Sequence, residues 1–234
     1  MEITRMWRFS MVSRFKMLGL GCTALLLTLY WLSGAIKVEV SPLEKGELTA
    51  QPVLVSVYYE TLCPDSKRFI LDQLWPTYQA VSDIINVDLV PYGKAYETEL
   101  NNGTYLFHCQ HGPDECYGNI IQTCAVKLLD IRKSLALIQC MESYSQSQAA
   151  GAKCARRQDI DYNKIEECVQ SKQGNTWQHE MAKRTDSLKP PLHFVPWITF
   201  DGVYTREYQN RGLNDLLGLV CDLYKGPKPE SCPK

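Results

Sequence analysis

Val53–Ile70, VLVSVYYETLCPDSKRFI, is the stretch from which the rest of the chain can be read. Val53, Leu54, Val55, Val57, Tyr58 and Tyr59 form a β-branched and aromatic run. Such a run suits a central strand buried on both faces of a parallel or mixed sheet. Glu60 and Thr61 break the run and lead to Cys63-Pro64-Asp65-Ser66. Beyond them Ile70, Leu74, Tyr78 and Val81 recur at helical spacing. A cysteine between a buried strand and a helix start meets the helix's unpaired N–H groups and positive dipole end, which favour a thiolate. The stretch therefore predicts a reactive thiol held at the edge of a sheet.

The whole chain has 234 residues, a formal net charge of −1, 45% hydrophobic and 22% charged residues. Those proportions suit an ordinary globular protein and argue against disorder and against nucleic acid as a partner. Residues 1–36 read as a targeting segment: Arg5, Arg8, Arg14 and Lys16 precede Met17–Ile36, which carries no charge. The run is long enough to span a bilayer, so a membrane link follows if it stays uncleaved as a signal anchor. Ser33-Gly34-Ala35 favours cleavage near Ala35. Either way the remaining chain lies on the lumenal or extracellular side. Asn102-Gly103-Thr104 is an N-glycosylation sequon in an expected exposed loop, with Asn102 as acceptor.

There are ten cysteines, of which Cys22 lies in the apolar N-terminal run. The other nine enter an oxidising compartment, where cysteines pair and an odd number leaves one over. Cys109, Cys116, Cys124, Cys140, Cys154, Cys168, Cys221 and Cys232 all lie well downstream, and Cys63 stands apart. Cys63 is the expected free thiol and the other eight are structural disulfide candidates; the rival is a free Cys232 in the tail. Their connectivity does not follow from the sequence.

After a polar lead-in over 37–52, a domain is expected over 53–226, followed by a tail over 227–234. Pro76 should kink or end the helix after Cys63. Ile85–Leu89 alternates as a second strand, giving a βαβ unit with a parallel pair. Residues 94–191 read as a helical insertion stapled by cysteines. Its strongest predicted helix runs through Ile121, Cys124, Leu128, Ile131, Leu135 and Ile138. A second is expected over Asp159–Lys172, closed by Gly174, and a third capped by Asn175. Phe194–Phe200 is strand-like with Pro196 at its start. Asp201-Gly202 predicts a hairpin in which Val203–Gln209 returns antiparallel, and Asn214 is the expected cap of a last helix. This order is the α/β thioredoxin plan with a large disulfide-stapled helical insertion between the second and third strands. In that plan Pro196 is cis and, with Val195, faces the reactive cysteine and positions the substrate chain.

One motif names a family. Cys109-Gln110-His111-Gly112-Pro113-Asp114-Glu115-Cys116-Tyr117-Gly118-Asn119-Ile120-Ile121-Gln122-Thr123-Cys124 fits CQHGxxECxxNxxxxC. It resembles the signature of the gamma-interferon-inducible lysosomal thiol reductase (GILT) family. Val90-Pro91-Tyr92-Gly93 and Val195-Pro196-Trp197 also look like family stretches, and the resemblance runs from about Gln51 to Tyr224. It implies a thioredoxin-like fold, a lysosomal or secreted glycoprotein, and reduction of protein disulfides at acidic pH. Cys109, Cys116 and Cys124 with His108 and His111 match no usual zinc spacing, so no metal is expected and disulfides are the better reading.

One departure matters. GILT-type reductases carry Cys-x-x-Cys at the turn, and this chain has Cys63 and Ser66. Ser66 cannot attack a mixed disulfide, although it is able to hydrogen-bond the Cys63 thiolate, helped by Lys67 and Arg68 and opposed by Asp65. The favoured expectation is a monothiol oxidoreductase, Cys63 and Ser66 forming its catalytic pair. It needs no cofactor beyond a small thiol such as glutathione or cysteine, and its partners are disulfide-containing proteins. The alternatives are a catalytically impaired secreted binding protein and a saposin-like helical lipid-binding domain, which would hold almost no strand.

Overall fold

The computed structural model describes residues 50–233. The expected signal segment and Cys22 lie outside these residues. Strand β1 (Val53–Tyr59) is central in a three-stranded sheet of order β2-β1-β5. It pairs parallel with β2 (Ile85–Pro91), from Val53↔Ile85 to Tyr59↔Pro91, and antiparallel with β5 (Trp197–Phe200), from Val55↔Phe200 to Tyr58↔Trp197. Every β1 residue except Leu54 is buried, as a strand flanked on both edges and covered on both faces requires.

After β1 the chain turns through Cys63 into α1 (Pro64–Phe69), a π-helical segment (Ile70–Leu74) and α2 (Trp75–Val81). Pro76 interrupts this run without ending it. Its nitrogen has no hydrogen to give the preceding turn, and the chain widens into the π segment immediately before it. Ile70, Leu74 and Val81 pack with Val55, Val57, Leu89, Ile198 and Phe200 into the sheet core, together with Leu216, Leu219 and Val220.

The segment between β2 and β5 departs from expectation at its start. It opens on an antiparallel hairpin of β3 (Tyr96–Glu99) and β4 (Tyr105–His108) before any helix. These strands are short and none of their residues is buried, so they carry no buried periodicity to read. The helices that follow are α3 (Pro113–Leu128), α4 (Ile131–Glu142), α5 (Gly151–Arg157), α6 (Tyr162–Gln170) and α7 (Lys172–Asp186). The apolar stripe expected as one helix is therefore two, broken at Leu129-Asp130, where Asp130 caps α4 by accepting from the Lys133 N–H. Its two halves serve different cores: Ile121 and Cys124 pack around the helical layer, Leu135 and Ile138 against the sheet.

The expected caps also moved. Ser171 caps α7 by accepting from the Gly174 N–H, so Gly174 starts a helix and does not end one. Asn175 is free to bond both backbone groups of Tyr105, tying α7 to the hairpin. At the far edge Phe200 and Val203 form only an isolated bridge. Val203–Gln209 does not return as a strand; Thr205 instead caps α8 (Arg206–Asn214). Asp201, read as a hairpin residue, is spent on the Leu54 N–H. Asp215, and not Asn214, caps α9 (Leu216–Leu223). The saposin-like reading fails on the two sheets.

Four disulfides close: Cys109–Cys116, Cys124–Cys168, Cys140–Cys154 and Cys221–Cys232. The last fastens the tail to α9, and Cys232 is itself buried in the sheet core. The rival assignment of a free Cys232 is thereby removed.

Candidate active site

Cys63 is the residue from which α1 departs, with extended backbone and Pro64 in the first helical turn. Pro64 suits that place because its missing N–H would have no partner there. The thiol is 8% exposed and is the one free cysteine among the described residues. Its Sγ lies 4.0 Å from the carbonyl oxygen of Val195, and the Val195–Pro196 peptide is cis. The expected meeting of Cys63 with Val195 and Pro196 is thus present in the geometry. Val195 and Pro196 also line a groove of about 510 Å³, together with Asp65, Arg68, Asp72 and Phe194.

Ser66 is fully buried, and its Oγ accepts from the Glu60 N–H at 3.4 Å. The serine therefore braces the turn from within. Lys67 is committed elsewhere: its Nζ donates to the carbonyls of Tyr144 and Ser145 at 2.5 and 3.1 Å. Burial pushes its pKa down. Arg68 pairs with Asp65 at 2.8 Å on the surface. The structure thus gives neither cation the supporting place at Cys63 that their sequence positions suggested.

What holds the turn comes from the cysteine-rich signature, whose polar residues carry no catalytic pattern in the sequence. The Thr61 N–H donates to Asn119 Oδ1 at 3.1 Å, and Thr61 Oγ1 donates to the Glu115 carbonyl at 3.2 Å. Gly118 permits that approach, since a Cβ there would stand 2.5 Å from Thr61 Oγ1. Asn119, a fixed position of the motif, was the available signal. A second tier lies beneath: Tyr59 donates to Gln122 at 2.6 Å, and Gln122 donates to Glu142. Ser147 Oγ lies 2.9 Å from the Thr61 carbonyl and 3.1 Å from Glu142 Oε2. Burial pushes the Glu142 carboxyl up to about 8, partly opposed by the Gln122 hydrogen bond. A neutral Glu142 can give its proton to Ser147, whose hydroxyl then donates to Thr61 O. That chain closes only with the acid protonated.

The cysteines considered for zinc are in disulfides, and the His108 ring stacks on Tyr96 at 4.5 Å. A different set converges beside the turn: Glu60, His111 and Glu115. Asn102 is exposed between β3 and β4, and its Oδ1 accepts from both the N–H and the hydroxyl of Thr104.

Residues 54–158 match the family model for gamma interferon inducible lysosomal thiol reductase (GILT). The chain is 45% identical over 188 residues to the gamma-interferon-inducible lysosomal thiol reductase of Carassius auratus, covering 80% of this chain and 74% of that one. To the protein of the same name from Mus musculus it is 37% identical over 184 residues, covering 77% and 72%. Among solved structures, Chlamydia trachomatis DsbA aligns with a TM-score of 0.49 at 13% identity, over 72% of this chain and 88% of that one.

Proposed function

The chain belongs to the GILT family of thiol–disulfide oxidoreductases, and from that premise we propose that it reduces or exchanges protein disulfides through Cys63, with an external thiol completing the cycle. The observation that carries this reading is the free Cys63 sulfur at the strand–helix turn, 4.0 Å from the Val195 carbonyl, with Ser66 where a second sulfur would resolve the intermediate. An extended substrate chain lies along Val195 and Pro196 in the groove. The Cys63 thiolate attacks one sulfur of the substrate disulfide; that S–S bond breaks, a mixed disulfide forms, and the departing sulfur takes up a proton.

Ser66 has no sulfur, and its neutral hydroxyl is too weak a nucleophile to repeat the attack. A small thiol of the glutathione or cysteine type therefore resolves the mixed disulfide, freeing the substrate's second thiol and leaving Cys63 bonded to the small molecule. A second small thiol then regenerates Cys63. In net terms one protein disulfide becomes two thiols while two small thiols become one disulfide. With a substrate thiol as the resolving group, the same steps give isomerisation.

The signal-like N-terminus and the sequon support a lumenal or secreted glycoprotein, and the relatives' names support a lysosomal setting. Retention of the partner as a stable mixed disulfide is the second reading, favoured by the same Ser66. The experiment that separates them follows reduction of a disulfide-linked protein at acidic and at neutral pH, with and without glutathione, beside Cys63→Ser. Turnover that needs glutathione and disappears in the mutant is the expected result. Equal rates in both proteins overturn the proposal, and a trapped complex without turnover selects the second reading.

A further inference from the structure

Glu60 directly follows β1, His111 stands in the loop joined by the Cys109–Cys116 disulfide, and Glu115 lies in the first turn of α3. Both carboxylate side chains are fully buried, whereas the imidazole is 40% exposed. Each carboxylate has one oxygen tied by a backbone N–H: Lys94 donates to Glu60 Oε1 at 2.6 Å and His111 donates to Glu115 Oε1 at 3.0 Å. That leaves Glu60 Oε2, Glu115 Oε2 and His111 Nδ1 turned toward one another, all within 4.8 Å. Glu60 Oε2 is buried with no hydrogen-bond partner. An orphaned buried carboxylate oxygen next to a second buried carboxylate is costly, and among the described residues the half-exposed His111 is the only basic side chain within salt-bridge range of either group.

We propose that Glu60, His111 and Glu115 bind a single first-row divalent cation, zinc by preference, beside the active-site turn and separate from Cys63. The set offers one imidazole nitrogen and two carboxylate oxygens, three protein ligands with the fourth position open to water on the exposed side of His111. Zinc accepts that mixture, whereas calcium asks for six or more oxygens and magnesium keeps most of its water. Tetrahedral bonds of about 2.0–2.1 Å place neighbouring ligand atoms about 3.3 Å apart. His111 Nδ1 and Glu60 Oε2 are already 3.6 Å apart, and His111 Nδ1 and Glu115 Oε2 need to open from 2.6 Å, a motion the exposed ring can make. The backbone donors to Oε1 of each glutamate act as outer supports that aim the ligands. The bound ion cancels the buried charge and ties the end of β1 to α3. This site does not depend on the Cys63 chemistry.

The test titrates the purified, chelator-stripped full chain with zinc chloride by calorimetry at about pH 7, with calcium and magnesium in parallel. One zinc per chain is expected, with neither of the other cations bound at the same concentrations. Glu60→Gln and His111→Ala should each weaken zinc at least about tenfold, and Cys63→Ser should leave it unchanged. Should Glu60→Gln misfold by circular dichroism, His111→Ala carries the test alone. Absence of saturable binding, binding that survives His111→Ala, or binding lost in Cys63→Ser overturns the proposal. The last result would put the metal on the thiol.

Discussion

The turn that carries Cys63 and the helical layer against it are held together by different means. The turn is bounded by β1, which the sheet buries, and is held by hydrogen bonds with Asn119, Glu115 and Ser147, while its own cysteine stays out of every disulfide among the described residues. The helical layer surrounds Ile121, Ala125, Leu137 and Met141 with Cys124–Cys168 and Cys140–Cys154. The separation has chemical sense. A thiol that exchanges with disulfides threatens any disulfide within its reach. Leaving the redox sulfur out of the four disulfides lets it cycle while the staples stay closed.

The hardest way to strain that contrast is to cut a staple. Cys124→Ser with Cys168→Ser opens a loop of sequence separation 44. On the chain-entropy account it costs about 4 kcal/mol of stability, read as a drop in the urea midpoint under non-reducing conditions. If the two regions are independent, the folded fraction keeps its Cys63-dependent activity. Loss of activity in the folded protein would show that the staple also positions the turn.

The next test reaches the hydrogen bonds under the turn. Glu142, held up near 8 in the fold against an ordinary value near 4.5, binds its proton more tightly folded than unfolded. Its contribution is therefore fully present below about pH 4.5 and is lost as pH rises through about 8. Thermal unfolding should show the chain less stable at pH 8 than at pH 5, with a Glu142 share on the order of a few kcal/mol. Glu142→Gln keeps the size and removes the titration, so the difference between the two pH values should shrink. An unchanged difference would mean that Glu142 is ionised in the fold.

A smaller effect is expected from Ser66→Cys, which puts a sulfur in the buried position now occupied by a hydroxyl. With glutathione limiting, release of the mixed disulfide should quicken by about tenfold, or about 1.4 kcal/mol. A disulfide between residues 63 and 66 should appear by mass spectrometry. The smallest effect belongs to Asn102→Gln in the β3–β4 turn. It should abolish a glycosidase-sensitive mass shift in secreted material and leave the turnover rate as it was.

The regions also differed in how openly the sequence announced them. β1 was plain because a central strand must be apolar on both faces, and Cys63 was plain because eight other cysteines lay far from it. Pro196 could be placed because proline fits only where a ladder needs no donor. The β3–β4 hairpin was hidden, since Tyr96–Glu99 and Tyr105–His108 bury too little to leave a pattern. The stripe from Ile121 to Ile138 was real but spanned two helices. Apolar spacing reports which residues are buried and is blind to a short break capped by Asp130. The polar supports of the turn were invisible for a different reason. Glu60, Glu115, Asn119, Gln122 and Glu142 look like ordinary surface residues until the fold buries them together. The same holds for Lys67, whose nearness in sequence suggested a partner for Cys63 and whose side chain went to Tyr144 and Ser145.

The central claim is that Cys63 alone exchanges while the four staples stay closed. The direct measurement alkylates the protein during turnover with excess glutathione and maps the labelled peptides against time. The account predicts label or glutathione on Cys63 only, with Cys109–Cys116, Cys124–Cys168, Cys140–Cys154 and Cys221–Cys232 intact throughout. Label rising on Cys109 or Cys116 in proportion to turnover, with Cys63 unmodified, would contradict it and move the reacting sulfur to the signature loop.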